Sequence, residues 1–349
     1  MYLVLTQISR RDVSQVMELY ICLEKINMFH YISLYEIKKD IMKRLDFVIP
    51  VKCNNFIIRT VIECVTKHYR PRNIYIITSP ECILEIANQS RDWFNVVQNE
   101  MEALTEIIYI DETQFFKDNY GLSKADIESM YTCIDEKSRE FGWWYQQLLK
   151  LGSVKQIPDL SDPYVVWDSD LVSLEKWDIY PTPCCDNYRF AILQESAKND
   201  WNKQQYAASI KELIRLDALE PETGGTFVPH HFVFHHRVIR QMLNGISTSS
   251  QDWIERIMTL SATYYRYSEY KCVATYMATH FPELLHYHDF NTYGKTGIRY
   301  RECEKIAKLI QDQCQVSGGL SYVDFCCWVN NNNNFPTTMP SYIQIEHLT

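Results

Sequence analysis

The amino-acid sequence predicts an α/β protein with a mixed, mainly parallel central sheet flanked by helices. The first observation is a pair of apolar runs, DFVIP at 46–50 and NIYIIT at 73–78, each of the length of a buried strand. The second is the segment between them, in which Ile57, Val61 and Val65 recur at helical spacing. The third is a further apolar run, EIIYID, at 106–111. A strand, a helix and a strand in this order form a βαβ unit, so these strands are expected to be parallel.

The later part of the chain continues with further helices and strands. Ser123 followed by Asp126 is typical of a helix start, and the segment FGWWYQQLLKLG predicts a helix. The run PYVVW predicts a buried strand, and TFVPHHFVFHH contains another short one. Two more helices are expected near 238–243 and 253–260.

Length and composition favour one main domain. A chain of 349 residues with 46% hydrophobic residues can bury a full core, and no linker rich in proline, glycine or serine divides it. We therefore predict a main domain at residues 46–316. An N-terminal helical extension at residues 1–45 precedes it, and a C-terminal tail at residues 317–349 follows it. The polar run Asn330–Asn334 predicts a loop in that tail.

The charge, the cysteines and the hydropathy exclude several classes of protein. A net charge of -9 repels a phosphate backbone, so nucleic acid is not expected as the main partner. The twelve cysteines show no CxxC spacing, which favours reduced thiols in the cytoplasm over disulfides or zinc sites. No apolar run approaches the length of a signal-peptide core or a membrane span. We therefore expect a cytoplasmic protein with no transmembrane segment.

The strongest chemical motif is PYVVWDSDLV, in which an apolar strand is interrupted by Asp168, Ser169 and Asp170. Strand alternation places both carboxylates on one side, where they can share one divalent cation. Two acids next to four hydrophobic residues are costly to bury without a cation or another partner. Mn²⁺ or Mg²⁺ at this place would stabilise a diphosphate leaving group during sugar transfer. The alternative is a surface turn or a salt bridge.

Ligands of open α/β sheets bind at the carboxyl ends of the strands. Pro50, Val51 and Lys52 follow the first strand, and Asp111 and Glu112 stand at the end of the third. No dinucleotide fingerprint and no P-loop follows the first strand. From these we select Pro50, Val51, Lys52 and Asp111, together with Asp168 and Ser169, as residues that contact a donor ligand.

The helix FGWWYQQLLKLG has two different faces. One face carries aromatic, amide and basic side chains, namely Trp143, Gln146, Gln147 and Lys150. The other face carries Trp144, Leu148 and Leu151. The first face is either the wall of a cleft or a solvated face opposite a core stripe, and the amphipathic pattern alone does not decide between them.

Six segments follow one another in a specific order, namely DFVIPVK, NIYIIT, GWWYQQLLKL, YVVWDSDLV, GGTFVPHHFVFHHRVIRQML and YSEYKCVATYM. This order resembles a family of GT-A-type glycosyltransferases whose members occur in bacteria, algae and large algal viruses. The resemblance covers about 46–288. It implies a Rossmann-like GT-A catalytic domain, a metal pair at Asp168 and Asp170, and a donor cleft lined by Gln147 and Lys150. A viral member would work in the cytoplasm of its host.

An inverting sugar transfer also needs a base that deprotonates the acceptor hydroxyl. Glu269 is the candidate, because Ser268 can cap a helix that has Glu269 in its first turn. The resemblance implies that this S-E-Y segment lies near the acceptor. A carboxylate in a first helical turn is also a routine partner of the helix dipole, and a retaining enzyme would not need the base.

The histidines supply the remaining candidates. GT-A enzymes often complete the metal shell with a late histidine, and the segment HYHDF offers His288 for this role. The segment HHFVFHH has the histidine density of a zinc site, but its apolar centre predicts a strand that would point the rings to different faces. From this segment we select His231, and before it Gly225, as acceptor-binding candidates.

These observations together predict a metal-dependent glycosyltransferase with a nucleotide-sugar donor, by default a UDP-sugar, and a glycan or other hydroxyl acceptor. Two alternatives stay open. One is a nucleotidyl- or phosphotransferase, which would also use paired acids, although it lacks a glycine-rich phosphate loop. The other is a protein of the same fold that binds carbohydrate but catalyses no reaction.

Overall fold

A computed structural model describes residues 44–97, 105–132, 141–182, 186–195, 200–263, 266–300, 319–331 and 339–345. The chain divides into one unit at residues 1–44 and a second at residues 45–349. The predicted N-terminal helical extension lies outside the described residues except for its last two. Within the described ranges, no helix has both the length and the apolar character needed to cross a membrane.

A five-stranded sheet forms the centre of the fold. Its strands are Phe47–Pro50 (β1), Asn73–Thr78 (β2), Glu106–Asp111 (β3), Tyr164–Trp167 (β4) and His231–Phe234 (β7). Their order is β3-β2-β1-β4-β7. The first four strands are parallel to their neighbours, and β7 is antiparallel to β4. This confirms the predicted mixed, mainly parallel sheet, and the predicted bounds of β2 and β3 agree with the structure.

Helices flank this sheet on both faces. They are Ile58–Tyr69 (α1), Pro80–Val97 (α2), Lys117–Tyr120 (α3), Lys124–Ser129 (α4), Phe141–Gln156 (α5), Asp200–Ile214 (α6), His236–Ile246 (α7), Trp253–Thr259 (α8), Glu269–His280 (α9) and Tyr322–Asn331 (α10). In β1, Phe47 and Ile49 enter one buried cluster with residues of α1, whereas Val48 enters a second cluster with residues of α5. Because side chains alternate along a strand, burial on both faces produces the uninterrupted apolar runs of the sequence.

Two of the predicted helix starts are present. Ser123 and Asp126 form a capping box at the start of α4, each side chain accepting a hydrogen bond from the backbone of the other. Ser268 caps α9 by accepting a hydrogen bond from Lys271 N, which places Glu269 at the first position of that helix.

A second sheet extends from the central one. It consists of Leu171–Ser173 (β5), Ile298–Tyr300 (β9) and Tyr342–Ile345 (β10), in the order β5-β10-β9. β10 is antiparallel to β5 and parallel to β9, so the last described strand holds the other two together. A small pair, Phe190–Ala191 (β6) and Tyr287–His288 (β8), is parallel.

The described part of the predicted C-terminal tail packs against the body of the protein. Tyr322 N at the start of α10 donates to Glu63 Oε2 at 2.7 Å, and Leu320 O accepts from Thr60 Oγ1 at 2.6 Å. The polar run Asn330–Asn334 begins inside α10, and its residues after Asn331 lie outside the described residues. Helix α10 and strand β10 therefore belong to the same body as the central sheet.

Candidate active site

The acidic motif lies where the chain passes from the central sheet to the second sheet. Asp168, Ser169 and Asp170 connect β4 to β5. From the side of the central sheet, Asp168 N donates to His230 O at 2.8 Å, and from the second sheet Ile345 N donates to Asp170 O at 2.9 Å. Backbone hydrogen bonds to both sheets therefore fix the position of the two acids.

Asp168 has polar partners at both of its carboxylate oxygens. Its Oδ1 atom lies 2.6 Å from Lys150 Nζ and accepts a hydrogen bond from Tyr270 Oη at 2.7 Å. Its Oδ2 atom lies 2.8 Å from His230 Nδ1. Burial opposes ionisation of Asp168, but Lys150 and His230 outweigh it and hold the pKa of this carboxyl well below its ordinary value. Asp168 is therefore an anion in the folded protein.

Lys150 joins Asp168 to a second carboxylate. Its Nζ atom lies 2.6 Å from Glu269 Oε1, and the two side chains are only 1% and 4% exposed. Burial lowers the pKa of Lys150, but Asp168 and Glu269 outweigh it and raise the pKa above its ordinary value. Burial raises the pKa of Glu269, an effect that Lys150 opposes and Asp168 reinforces. One ammonium group thus stands between two carboxylates in a buried site.

Glu269 is positioned by helix geometry as well as by Lys150. Its backbone N donates to Gln147 Oε1 at 3.1 Å, and Gln147 Nε2 donates to Trp143 O at 3.2 Å. The N-terminal end of a helix stabilises a negative charge, so the first position of α9 suits a carboxylate. Gln147 and Lys150 on the polar face of α5 are thus buried against Glu269, whereas a solvated face would leave them exposed.

Three side chains of this region form a candidate metal site. Asp168, Asp170 and His230 each offer a ligand atom, and these atoms lie within 4.8 Å of one another. Carboxylate and imidazole groups are both common ligands of divalent metal ions, so the set fits such an ion. Two of the three are the predicted Asp168 and Asp170.

These groups open into a cavity of about 820 Å³. The predicted donor residues that line it are Pro50, Val51, Lys52, Gln147, Lys150, Asp168 and Ser169. Asp170, Glu269, His230 and Tyr270 line it as well. The carboxyl ends of β1 and β4 and the polar face of α5 therefore surround one space.

Asp111 is the predicted donor residue that does not line the cavity. Its Oδ1 atom accepts hydrogen bonds from Thr113 N at 2.8 Å and Thr113 Oγ1 at 2.7 Å, which caps the turn after β3. The next residue, Glu112, lines the cavity and lies 2.5 Å from Lys124 Nζ. The end of β3 therefore lines the cavity through Glu112 and not through the selected Asp111.

The two predicted acceptor residues lie outside the cavity lining. His231 is fully buried, with Nε2 accepting a hydrogen bond from Ala191 N at 2.9 Å and Nδ1 donating to Pro229 O at 2.9 Å. Gly225 has a φ of +77°, and a Cβ atom there would lie 2.5 Å from Ile192 Cγ2, so the position requires glycine for packing. Structural contacts account for both residues.

The predicted metal ligand His288 also lies elsewhere. It belongs to β8, which pairs with β6, and its Nε2 atom forms a hydrogen bond with Asp178 O at 2.9 Å. It is not among the described groups that meet around the acidic motif, where His230 is the third candidate ligand.

Among the lining residues that were not predicted are His230, Arg299 and Gln344. A usable signal existed for His230 alone. In the antiparallel pairing of β4 with β7, Trp167 lies opposite His231, so the residue before His231 lies opposite Asp168. Arg299 and Gln344 come from the second sheet, whose pairing has no short-range sequence signal.

Comparisons with known proteins give one family match and a distant structural likeness. The chain is similar to the crystal structure of mouse xyloside xylosyltransferase 1 in its apo form, with 10% identity, a TM-score of 0.43, and coverage of 86% of this chain and 97% of that chain. No curated protein matches the sequence. Residues 42–303 match DUF6492, a family of unknown function, and the chain therefore belongs to the DUF6492 family.

Proposed function

We propose that this protein is a metal-dependent GT-A-type glycosyltransferase that moves a sugar from a UDP-sugar to a hydroxyl group of a glycan or another acceptor. One observation carries the proposal. Two carboxylates and an imidazole meet within 4.8 Å at the wall of a cavity of about 820 Å³. Sites for small molecules and cofactors have volumes of roughly 300–1,000 Å³, so the space suits a nucleotide-sugar.

Asp168, Asp170 and His230 would hold the metal ion. Bound Mn²⁺ would supply a positive charge that stabilises the diphosphate as it leaves the sugar. The chain contributes the fixed ligand positions, because backbone hydrogen bonds join the connection from β4 to β5 to both sheets. Tyr270 and Lys150 orient Asp168 from one side, and His230 does so from the other.

Glu269 is the proposed base for the acceptor hydroxyl. Its pKa is raised, mainly by burial, so its carboxylate is a stronger proton acceptor than an exposed glutamate. Lys150 favours its ionised form and donates a hydrogen bond to its Oε1 atom. With Glu269 as base the transfer would be inverting, because direct attack of the deprotonated hydroxyl displaces the nucleotide in a single step.

The proposal is tested by incubating the protein with a panel of nucleotide-sugars and Mn²⁺ and measuring the release of nucleoside diphosphate. We expect release from a UDP-sugar, and a loss of at least about 100-fold in Asp170→Ala, the range found when an electrostatic contributor to a transition state is removed. Asp217→Asn is the matched control, because the Asp217 side chain is 93% exposed and lies outside the cavity lining.

Three results would contradict the proposal. Release of diphosphate from no donor, with retained glycan binding, would indicate a carbohydrate-binding protein. Transfer of a nucleotidyl or phosphoryl group would indicate the other class of transferase. Equal activity of Asp170→Ala and wild type would remove the acidic pair from the mechanism.

A further inference from the structure

Strand β10 brings a glutamine to the wall of the cavity. Gln344 lies opposite Leu171 of β5, which directly follows Asp170, and opposite Arg299 of β9. The Gln344 side chain is nearly fully buried, with 1% of the residue exposed, yet it lines the cavity together with Arg299. The two side chains are therefore neighbours next to the acidic motif.

Gln344 has an unused hydrogen-bond donor. Its Nε2 atom is buried and has no hydrogen-bond partner among the residues that the structure describes. Burying an amide donor without an acceptor is unfavourable, and such groups in folded proteins usually have a partner. Gln344 lines the cavity, so a ligand oxygen bound beside it would supply the missing acceptor.

Arg299 adds a positive charge at the same place. Its guanidinium lies 3.2 Å from His230 Nε2 and 3.4 Å from Gln194 O. A guanidinium carries five N–H donors in a planar fork that matches the geometry of phosphate oxygens.

We propose that Gln344 and Arg299 form a phosphate-binding subsite, in which the Gln344 amide and the Arg299 guanidinium donate hydrogen bonds to oxygens of the donor diphosphate. This inference rests on the proposed function, which supplies a diphosphate. The subsite and Lys150 lie at the two ends of one series of contacts, Lys150 to Asp168 to His230 to Arg299. An anion bound there lies beside the candidate metal ligands.

The C-terminal strand is needed for this subsite in two ways. It supplies Gln344, and it holds β9, which carries Arg299, beside β5. Its own place is fixed by packing: Gln194 N donates to Tyr342 Oη at 2.9 Å, and a Cβ atom at Gly297 would overlap the Tyr342 ring. The family match ends at residue 303, so the site includes a residue beyond the matched region.

The test is a calorimetric titration of wild type and variants with inorganic pyrophosphate and with UDP, each with and without Mn²⁺. Gln344→Leu removes the donor and is expected to weaken the binding of both ligands about tenfold, the effect of one hydrogen bond to a charged group. Gln344→Glu adds a negative charge and is expected to weaken it about 100-fold or more, because like charges repel. Arg299→Gln is expected to weaken it about 30-fold.

Two control variants separate binding from folding. Gln241→Leu replaces an exposed glutamine of α7, Arg237→Gln removes an arginine from the same helix, and both positions lie outside the cavity lining. Both are expected to bind pyrophosphate within about twofold of wild type, since neither alters the subsite. Thermal unfolding of every variant checks that the chain is folded. If Gln344→Glu does not fold, the effect on pyrophosphate binding is measured with Gln344→Leu.

The outcomes distinguish the subsite from the proposed function. Pyrophosphate binding that weakens in the Gln344 and Arg299 variants supports the subsite, even if no donor is turned over and the glycosyltransferase proposal fails. Unchanged or tighter binding in Gln344→Glu overturns the subsite, and turnover of a UDP-sugar by wild type would then leave the function intact. Absence of pyrophosphate binding by wild type overturns the subsite as well.

Discussion

The consecutive histidines His230 and His231 lie in two opposite regions of the molecule. His230 lines the cavity, where its ring contacts Asp168 and Arg299. His231 lies in the core, with its ring centroid 5.1 Å from that of Trp167 and 4.7 Å from that of Trp177. One ring belongs to a polar site and the other to an aromatic cluster.

The difference shows how strand pairing assigns chemistry to neighbouring residues. β7 begins at His231, which pairs with the last residue of β4, Trp167, so the chain enters the sheet between the two histidines. His230, with a φ of +60°, lies just before the strand. A shift of one residue therefore exchanges a candidate metal ligand for a packing residue. The two regions make different predictions for mutations.

The strongest test of the cavity region is the substitution Asp168→Asn. The amide removes the negative charge next to Lys150 and one candidate metal ligand, so donor turnover is expected to fall about 1,000-fold. Turnover is measured as release of nucleoside diphosphate, with Asp217→Asn as the control. Activity above a tenth of the wild-type value would show that donor turnover does not depend on this carboxylate.

The core side is tested by His231→Ala. The substitution leaves a cavity between Trp167 and Trp177 and removes the acceptor for Ala191 N, so the free energy of unfolding is expected to fall by about 3 kcal/mol. Urea denaturation measures the change. The control is His280→Ala, because His280 is exposed at the end of α9. A similar small loss in both variants would contradict a structural role for His231.

The pH dependence of stability sharpens the assignment of His231 to the core. Burial lowers the pKa of His231 to about 3, although its bond to Pro229 O opposes the shift. The unfolded chain, with an ordinary histidine pKa of about 6.5, therefore takes up the proton first as the pH falls. Stability is lost between about pH 6.5 and pH 3, and the loss from this residue at pH 5 is about 2 kcal/mol.

This loss is measured by comparing the unfolding of wild type and His231→Gln between pH 7 and pH 5. The variant lacks the titrating ring, so its free energy of unfolding is expected to decrease less over this range. Parallel decreases in the two proteins would show that His231 is protonated equally in the folded and unfolded states.

The sequence predicted those parts of the molecule that depend on neighbouring residues. The strands NIYIIT and EIIYID, the capping box at Ser123 and the Ser268 cap all rest on local periodicity or local hydrogen bonds. The acidic motif was visible because its charges interrupt an apolar run. Its identification required no knowledge of the pairing of distant strands.

The remaining parts depend on pairing between distant segments. Arg299 and Gln344 reach the cavity through the second sheet, which joins 171–173, 298–300 and 342–345. The polar content of the C-terminal segment favoured a tail, but β10 gains its place by pairing on both edges. His288 was favoured by its late position in the chain, whereas the antiparallel pairing of β4 with β7 brings His230 to Asp168.

The smallest effect is expected at the third candidate metal ligand. The sequence favoured His288 for this role, whereas the structure indicates His230. His230→Gln removes one imidazole from a group that retains Asp168 and Asp170, so the affinity for Mn²⁺ is expected to fall about tenfold, the lower end of the effects of altering a metal site. The matched variant is His288→Gln, because the wild-type His288 ring forms a hydrogen bond with Asp178 O and is not part of the group.

Both variants are titrated with Mn²⁺ and followed by calorimetry, so the result does not depend on activity. Wild-type affinity in His288→Gln and reduced affinity in His230→Gln would favour the ligand set that strand pairing assembles. The reverse pattern would show that His288 reaches the metal and that His230 serves only to orient Asp168. Because the two substitutions are chemically identical, a difference in affinity between them reflects the positions of the two rings.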